Sequence, residues 1–108
     1  MSKYRAKKTE IDGIKFDSRK EARRYTELKL LERNGDIENL TLQPRFLLQE
    51  GFRKNGKAYR KIEYVADFMY RQDGKLIVED VKGIKTDVYK LKQKLFEKRY
   101  QDLTIKEI

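Results

Sequence analysis

Asp67 and Asp80 flank an Asp73-Gly74 pair, and Lys82 follows the second aspartate by two residues. Asp-Gly supplies the two positive φ angles of a tight two-residue hairpin turn, so residues equidistant from it become antiparallel partners. That register sets Asp67 directly opposite Asp80. Side chains alternate along a strand, so Val65, Asp67 and Met69 share one face with Val78, Asp80 and Lys82. Ala66, Phe68 and Tyr70 share the other face with Ile77, Glu79 and Val81. Facing carboxylates destabilise a hairpin by a few tenths to about 1 kcal/mol. A divalent cation held by their hard oxygens removes that penalty and keeps both acids ionised. Lys82, one pleat beyond Asp80, offers an ammonium that can offset charge, orient an attacking water or stabilise a phosphorane-like transition state. The competing account is an exposed hairpin face carrying ordinary solubilising charges. The apolar neighbours Val65, Met69 and Val78 weigh against it, because charges set in an apolar row need a partner or a purpose. Glu79 points to the opposite face and stands outside the set.

Two further side chains have double readings. Ser18-Arg19-Lys20-Glu21 has the form of a capping box, in which Glu21 bonds back to the Ser18 amide. Glu21 also precedes Tyr25 by four residues and Leu28 by seven, at the edge of a buried helical stripe, where it can deliver a carboxylate to a metal. In a second helix Lys92 lies three and four residues from Val88, Tyr89, Leu95 and Phe96. It is either an amine set in an apolar face or a surface lysine whose stem snorkels across it. Gln93 sits on the neighbouring stripe beside Tyr89 and Phe96.

The elements that must position these groups follow from local signals. Thr9-Glu10-Ile11 and Ile14-Lys15-Phe16 form a small hairpin around Asp12-Gly13. A helix starts at the Ser18 cap, carries Ala22, Tyr25, Leu28 and Leu31 at helical spacing, and ends near Asn34-Gly35. Past Pro44 the spacing predicts a strand at Phe46-Leu47-Leu48, then, beyond Gly51 to Gly56, one long alternating run from Ile62 to Tyr70. Asp73-Gly74 joins that run to Leu76 through Lys82. Gly83 breaks the strand, and Thr86 or Asp87 caps a helix reaching about Tyr100. Leu103 to Ile108 makes a last short strand. The sum is an α/β (α+β) fold of order α-β-β-β-α-β, a mixed sheet flanked by helices, with an N-terminal hairpin.

Composition bounds the chemistry. The 108 residues include no Cys and no His. This excludes disulfides, thiolate and imidazole metal sites, thiol nucleophiles and the Ser-His-Asp apparatus. Any metal must sit on oxygen. Lys+Arg number 27 against 18 Asp+Glu, a formal charge of +9. That is the footprint of a phosphate-backbone partner, because each neutralised phosphate releases condensed counterions. Nucleic acid is the leading candidate, although a lysine-rich solvated surface gives the same composition. The basic residues run from Lys3 to Lys8, Arg19 to Arg24, Arg53 to Lys61 and Lys82 to Arg99, interleaved with Tyr4, Tyr25, Tyr59 and Tyr89. Such a spread indicates a folded basic surface rather than a detached tail. At 38% hydrophobic and 42% charged, one domain over residues 1–108 is expected. No apolar run approaches the roughly 20 residues of a membrane span, and MSKYRAKK lacks the apolar segment of a signal peptide, so a cytoplasmic protein is expected.

Taken together, Ser18-x-x-Glu21 heading a helix, Asp67 in a strand, Asp80-Val81-Lys82 in the next strand and a following helix resemble the PD-(D/E)XK nuclease superfamily. The resemblance runs from Ser18 to the end. More narrowly, FDSRKEARRY, VADFMY and VEDVKGIKT are similar to a family of small phage proteins, described as a domain of unknown function and proposed to be phage recombination endonucleases. Ala66 stands where the superfamily pattern has Pro, and Asp80 where it often has Glu. By this resemblance the core is restriction-endonuclease-like, and the protein is a Mg²⁺-dependent DNA endonuclease, with Mn²⁺ as substitute, acting in the host cytoplasm. Asp67 and Asp80 would be metal ligands and Lys82 the catalytic lysine. Glu21 would match the helical acid of junction resolvases and transposase-type members and complete the metal shell.

Arg19, Arg23, Arg24, Lys85, Lys90 and Lys92 are expected on phosphates near the site, with Lys57, Arg60 and Lys61 at its edge. Nothing resembles a base-reading helix, so selection by structure, of branched or junction DNA, is expected. One site per chain implies a homodimer for cutting both strands. From another class comes a non-catalytic nucleic-acid-binding module of the same fold. A phage structural or interaction protein is a third reading, for which DNA affinity is weak and insensitive to salt.

Overall fold

The computed structural model describes residues 8–108; the basic stretch from Lys3 to Lys7, with Tyr4, lies outside the described residues. Three of the four Asx-Gly pairs close hairpins. Asp12-Gly13, Asn55-Gly56 and Asp73-Gly74 each hold both φ angles positive, between +51° and +76°. That is the requirement of the hairpin turn whose twist matches its strands. The first closes strands β1 (Thr9–Ile11) and β2 (Ile14–Phe16), with Glu10 opposite Lys15. Helix α1 (Arg19–Arg33) starts as expected, the Ser18 hydroxyl accepting the Glu21 N–H at 3.1 Å. The return bond from the Glu21 carboxylate to Ser18 is absent among the described residues, which leaves that carboxylate for other work.

Between α1 and α2 (Asp87–Arg99, capped by Thr86) run seven strands, not the three expected. They are β3 (Glu38–Leu42), β4 (Arg45–Gln49), β5 (Phe52–Lys54), β6 (Lys57–Tyr59), β7 (Ile62–Val65), β8 (Phe68–Gln72) and β9 (Lys75–Asp80), and β10 (Ile105–Glu107) follows α2. The main sheet has the order β10-β9-β8-β3, parallel between β10 and β9 and antiparallel elsewhere. One face packs Phe68 and Tyr70 against Ala22, Tyr25 and Leu28 of α1. The other packs Val78 and Ile105 with Tyr89 and Phe96 of α2 and with Phe46, Leu48, Tyr64 and Ala66. Phe96 is fully buried, edge-on to Phe46 at 5.0 Å, and burying such a side chain contributes about 1.5–3 kcal/mol. The fold is therefore α/β with a mixed sheet between two helices. Among the described residues no helix is long and apolar enough to cross a membrane.

The extra strands come from one long antiparallel hairpin whose sheet partners change along its length. β3 pairs with β8 inside the main sheet, and β4 pairs with β7 outside it. At the corner between them the Gln43 N–H donates to the Asp67 carbonyl at 2.9 Å and the Ala66 N–H to that of Pro44 at 3.1 Å. The pairing thus runs through the corner. It continues past a one-residue shift between Leu47 and Gln49 into β5 and β6, which close on Asn55-Gly56. The run expected to be one strand from Ile62 to Tyr70 is bent at Ala66-Asp67 for this reason. Because a one-residue offset reverses which face a side chain takes, Ala66 joins the α2 side with Tyr64, opposite to expectation. Val65, expected in an apolar row beside Asp67, is 40% exposed.

Candidate active site

The corner and the end of β9 bring the acids together. From Phe68 opposite Glu79 to Gln72 opposite Lys75, β8 and β9 keep the register implied by the two-residue turn. One step further, the Asp67 N–H donates to the Glu79 carbonyl at 3.2 Å, so Asp67 and Asp80 still meet at the end of the ladder. The Asp67 Oδ2 accepts the Val81 N–H at 2.7 Å. Asp80 is 2% exposed. It accepts a short hydrogen bond from the Tyr64 hydroxyl, and its Oδ1 lies 3.2 Å from Lys82 Nζ. Lys82 also stands over the Tyr89 ring, 4.2 Å from its centre, so its ammonium is fixed between a carboxylate and an aromatic face. Glu21, in the first turn of α1, faces the same space. Asp17, Ser18, Lys20, Glu21, Asp67, Asp80, Val81, Lys82 and Gly83 line one cleft of about 380 Å³. A larger depression of about 530 Å³ over Lys75–Ile77 and residues 102–104 gathers no comparable set of charges.

Crowding of carboxylates is visible in their proton affinities. Burial pushes Asp67 up to about 7, with Asp80 and Glu21 adding to the rise and the Val81 N–H opposing it. Burial likewise raises Glu21; Asp17 and Asp80 add to this, while Lys82 counters it. Groups that hold protons this tightly beside one another favour a hard cation, which would replace the proton. The donors are all carboxylate oxygens, the chemistry of a Mg²⁺ or Mn²⁺ site. Among the described residues, no three acids are drawn together closely enough to form a ready-made ion site. The side chains therefore fit such an ion in type, and ligation requires them to close by side-chain rotation.

The remaining expected residues divide. Arg19, Arg23 and Lys90 are exposed and open to a phosphate. Arg24 turns inward instead: its Nε and a terminal nitrogen bind both oxygens of Glu79 at 2.8 and 2.7 Å, and the other terminal nitrogen binds Glu27 at 3.0 Å. Glu79 is fully buried and also accepts the Tyr70 hydroxyl. This pair lies on the α1 side of the sheet and fastens helix to sheet. Lys85 is spent on Glu107 at 2.8 Å, the same carboxylate that accepts the Tyr89 hydroxyl. Lys92 is not in the middle of a buried face. Tyr89 and Phe96 beside it are buried, but Val88 and Leu95 are 62% and 37% exposed, so it sits on the margin.

Tyr64, Lys20 and Gln43 were not foreseen. Lys20 reaches across the cleft mouth to the Lys82 carbonyl at 3.4 Å. Uninterrupted strand alternation would set Tyr64 on the face away from Asp67 and Asp80, and only the bend at Ala66-Asp67 carries its hydroxyl to Asp80.

The sequence family described as Protein of unknown function (DUF1064) matches residues 1–108. The chain belongs to that family. No curated protein matches the chain, and no solved structure does.

Proposed function

We propose that this DUF1064 chain is a Mg²⁺-dependent DNA endonuclease, hydrolysing phosphodiester bonds of branched or junction DNA in phage recombination or DNA processing in the host cytoplasm. The observation that carries the reading is the meeting of Glu21, Asp67, Asp80 and Lys82 on one cleft, in a chain of charge +9. Asp67, Asp80 and Glu21 would hold the ion. When bound, Mg²⁺ polarises the scissile phosphate and lowers the pKa of water, so hydrolysis needs no imidazole. Lys82, already anchored between Asp80 and Tyr89, orients the attacking water and offsets charge developing on the phosphoryl oxygens. Tyr64 fixes the Asp80 carboxylate from behind. Lys20, Arg19, Arg23 and Lys90 supply cations for the flanking phosphates. Cutting both strands requires two copies, each contributing one site.

Two observations favour a second reading, a non-catalytic nucleic-acid-binding module: the Lys82 ammonium already neutralises Asp80, and among the described residues no three acids are gathered for an ion. Nicking of a labelled four-way junction in Mg²⁺ or Mn²⁺ separates the two. The expected result is cleavage by wild type and a loss of about a thousandfold or more in Asp80→Asn with binding retained, since Lewis-acid assistance contributes several kcal/mol. Binding without cleavage in either metal supports the module.

A further inference from the structure

The β5–β6 ribbon has no part in the core. Every residue from Gln49 to Lys61 is exposed. An isolated two-stranded hairpin is marginal in water, and this one is held by local devices alone. Phe52 and Tyr59, directly opposite each other, stack at 4.8 Å with their rings 9° from parallel, yet remain 45% and 40% exposed. Lys57 Nζ lies 5.1 Å from the Tyr59 ring centre. Beyond the stack, on the same face and next to the turn, Lys54 stands opposite Lys57. Like charges facing each other weaken a hairpin. Arg53 and Arg60 add to the positive charge, while Glu50 is the sole acid between residues 50 and 61.

We infer that this ribbon is an arm that enters the major groove of duplex DNA beside the cleavage cleft, Lys54 and Lys57 taking phosphates at the groove's edge. The inference rests on the nuclease reading for where the arm lands. A B-form major groove, about 12 Å wide, admits a two-stranded ribbon. Anionic phosphates turn the Lys54–Lys57 repulsion into binding energy, and the exposed aromatic pair stiffens the arm so that little conformational freedom is lost on contact. The arm is also the far end of the hairpin that carries Asp67. Lys57, the nearer of the two phosphate-binding lysines, is ten residues from Asp67, a reach of at most about 35 Å, which corresponds to about ten base pairs. Groove engagement therefore lies within one turn of the bond to be cut.

The test is the double substitution Lys54→Gln with Lys57→Gln, which leaves the aromatic stack and turn intact. Binding of a labelled DNA duplex is titrated in EDTA across a range of salt, beside an RNA duplex of matching sequence and vesicles containing phosphatidylserine. The expected result is DNA affinity lowered on the order of tenfold and a log–log salt slope shallower by about 2, as two lost phosphate contacts require. The RNA duplex, whose major groove is too narrow for the arm, should change far less. An unchanged DNA slope overturns the inference, as does an equal loss on RNA, a loss confined to the vesicles, or wild type that does not bind DNA. The single substitution Lys57→Gln keeps the test open if the double variant fails to fold, and should flatten the slope by about 1. Wild type that binds and never cuts sinks the nuclease reading while sparing the arm. Variants that bind as wild type but still cut sink the arm alone.

Discussion

Two hairpins in this molecule close on the same turn chemistry and bring like charges face to face, with opposite consequences. In β8–β9 the Asp73-Gly74 turn leads to Asp67 and Asp80, enclosed by Tyr64, the Val81 N–H and Lys82. In β5–β6 the Asn55-Gly56 turn leads to Lys54 and Lys57, enclosed by nothing. The β1–β2 hairpin, on a third such turn, sets Glu10 against Lys15, the ordinary attractive pairing. Repulsion is thus a departure that two of the hairpins share. Where the surroundings are buried, desolvation first and repulsion second raise the proton affinity and create a demand for a cation. Where they are solvent, repulsion persists as a demand for an anion. The two demands are joined by one stretch of chain, β6 through β7 to Asp67 and β8, and under the proposed function they would match a metal-bound phosphate and its flanking duplex.

The comparison is broken most severely through the face opposite the acids. Glu79 neighbours Asp80 in sequence but is neutralised by Arg24 on the α1 side. Arg24→Met leaves a fully buried carboxylate with only the Tyr70 hydroxyl, and a loss of about 3 kcal/mol in urea unfolding is expected. Pairing it with Glu79→Gln should recover most of that, because the penalty belongs to the unpaired charge. A loss below about 1 kcal/mol in the single variant would mean that Glu79 is not held by Arg24, and that the sheet does not separate a structural acid from the cleft acids.

Much of this division was legible from the chain and some was not, for definite reasons. The three turns were set by Asx-Gly pairs, whose φ requirement is local, although only those at Asp12-Gly13 and Asp73-Gly74 were read as hairpins. The Asp67–Asp80 meeting follows from counting outward from one of them, and it holds because nothing interrupts β8 or β9. Ser18 capping is local too. The corner at Ala66-Asp67 is not local: it depends on Gln43 and Pro44, more than twenty residues away, and alternation of apolar side chains does not reveal a strand changing partners. Val65 and Ala66 therefore take other surroundings than uninterrupted alternation predicts. β3 was hidden by Asn39, which adopts φ +58° at a bulge between Glu38 and Thr41 and breaks the alternation between Ile37 and Leu40. The β5–β6 ribbon escaped because its side chains build no core, so the hydrophobic pattern that marks most strands is missing. Arg24 read as a surface cation because a helix stripe does not disclose which acid waits across the sheet.

A smaller effect sharpens the acidic side. In the metal-free protein the Asp67 carboxyl sits near 7 rather than its ordinary 3.8, chiefly through burial. The folded state therefore binds this proton more tightly than the unfolded chain does. Its contribution to stability is full below about pH 4 and is lost as pH rises through about 7. Asp67→Asn keeps an oxygen for the Val81 N–H and removes the ionisation. It should stabilise the metal-free protein by about 1 kcal/mol at pH 8 and by almost nothing at pH 4, while abolishing cleavage. Thermal unfolding in EDTA at the two pH values measures this. Equal effects at both would show that Asp67 ionises normally and that the cleft exerts no demand for a cation.

The mildest perturbation probes the root of the ribbon. A Cβ on Gly51 would lie 3.1 Å from the Tyr59 carbonyl oxygen and 3.3 Å from the Lys61 nitrogen, both backbone atoms. Neither can rotate away, so Gly51→Ala must displace the base of the arm by a few tenths of an ångström. Since no residue from Gln49 to Lys61 is buried, global stability should change by no more than about 0.5 kcal/mol. Amide exchange across Phe52–Tyr59 should accelerate while that of β8 and β9 does not, because opening of the arm is a local event with its own small free energy. Concerted acceleration in both hairpins would show that the two open as a unit, and the arm would then be part of the folded core's cooperativity rather than an appendage whose stability is set by its own stack and turn.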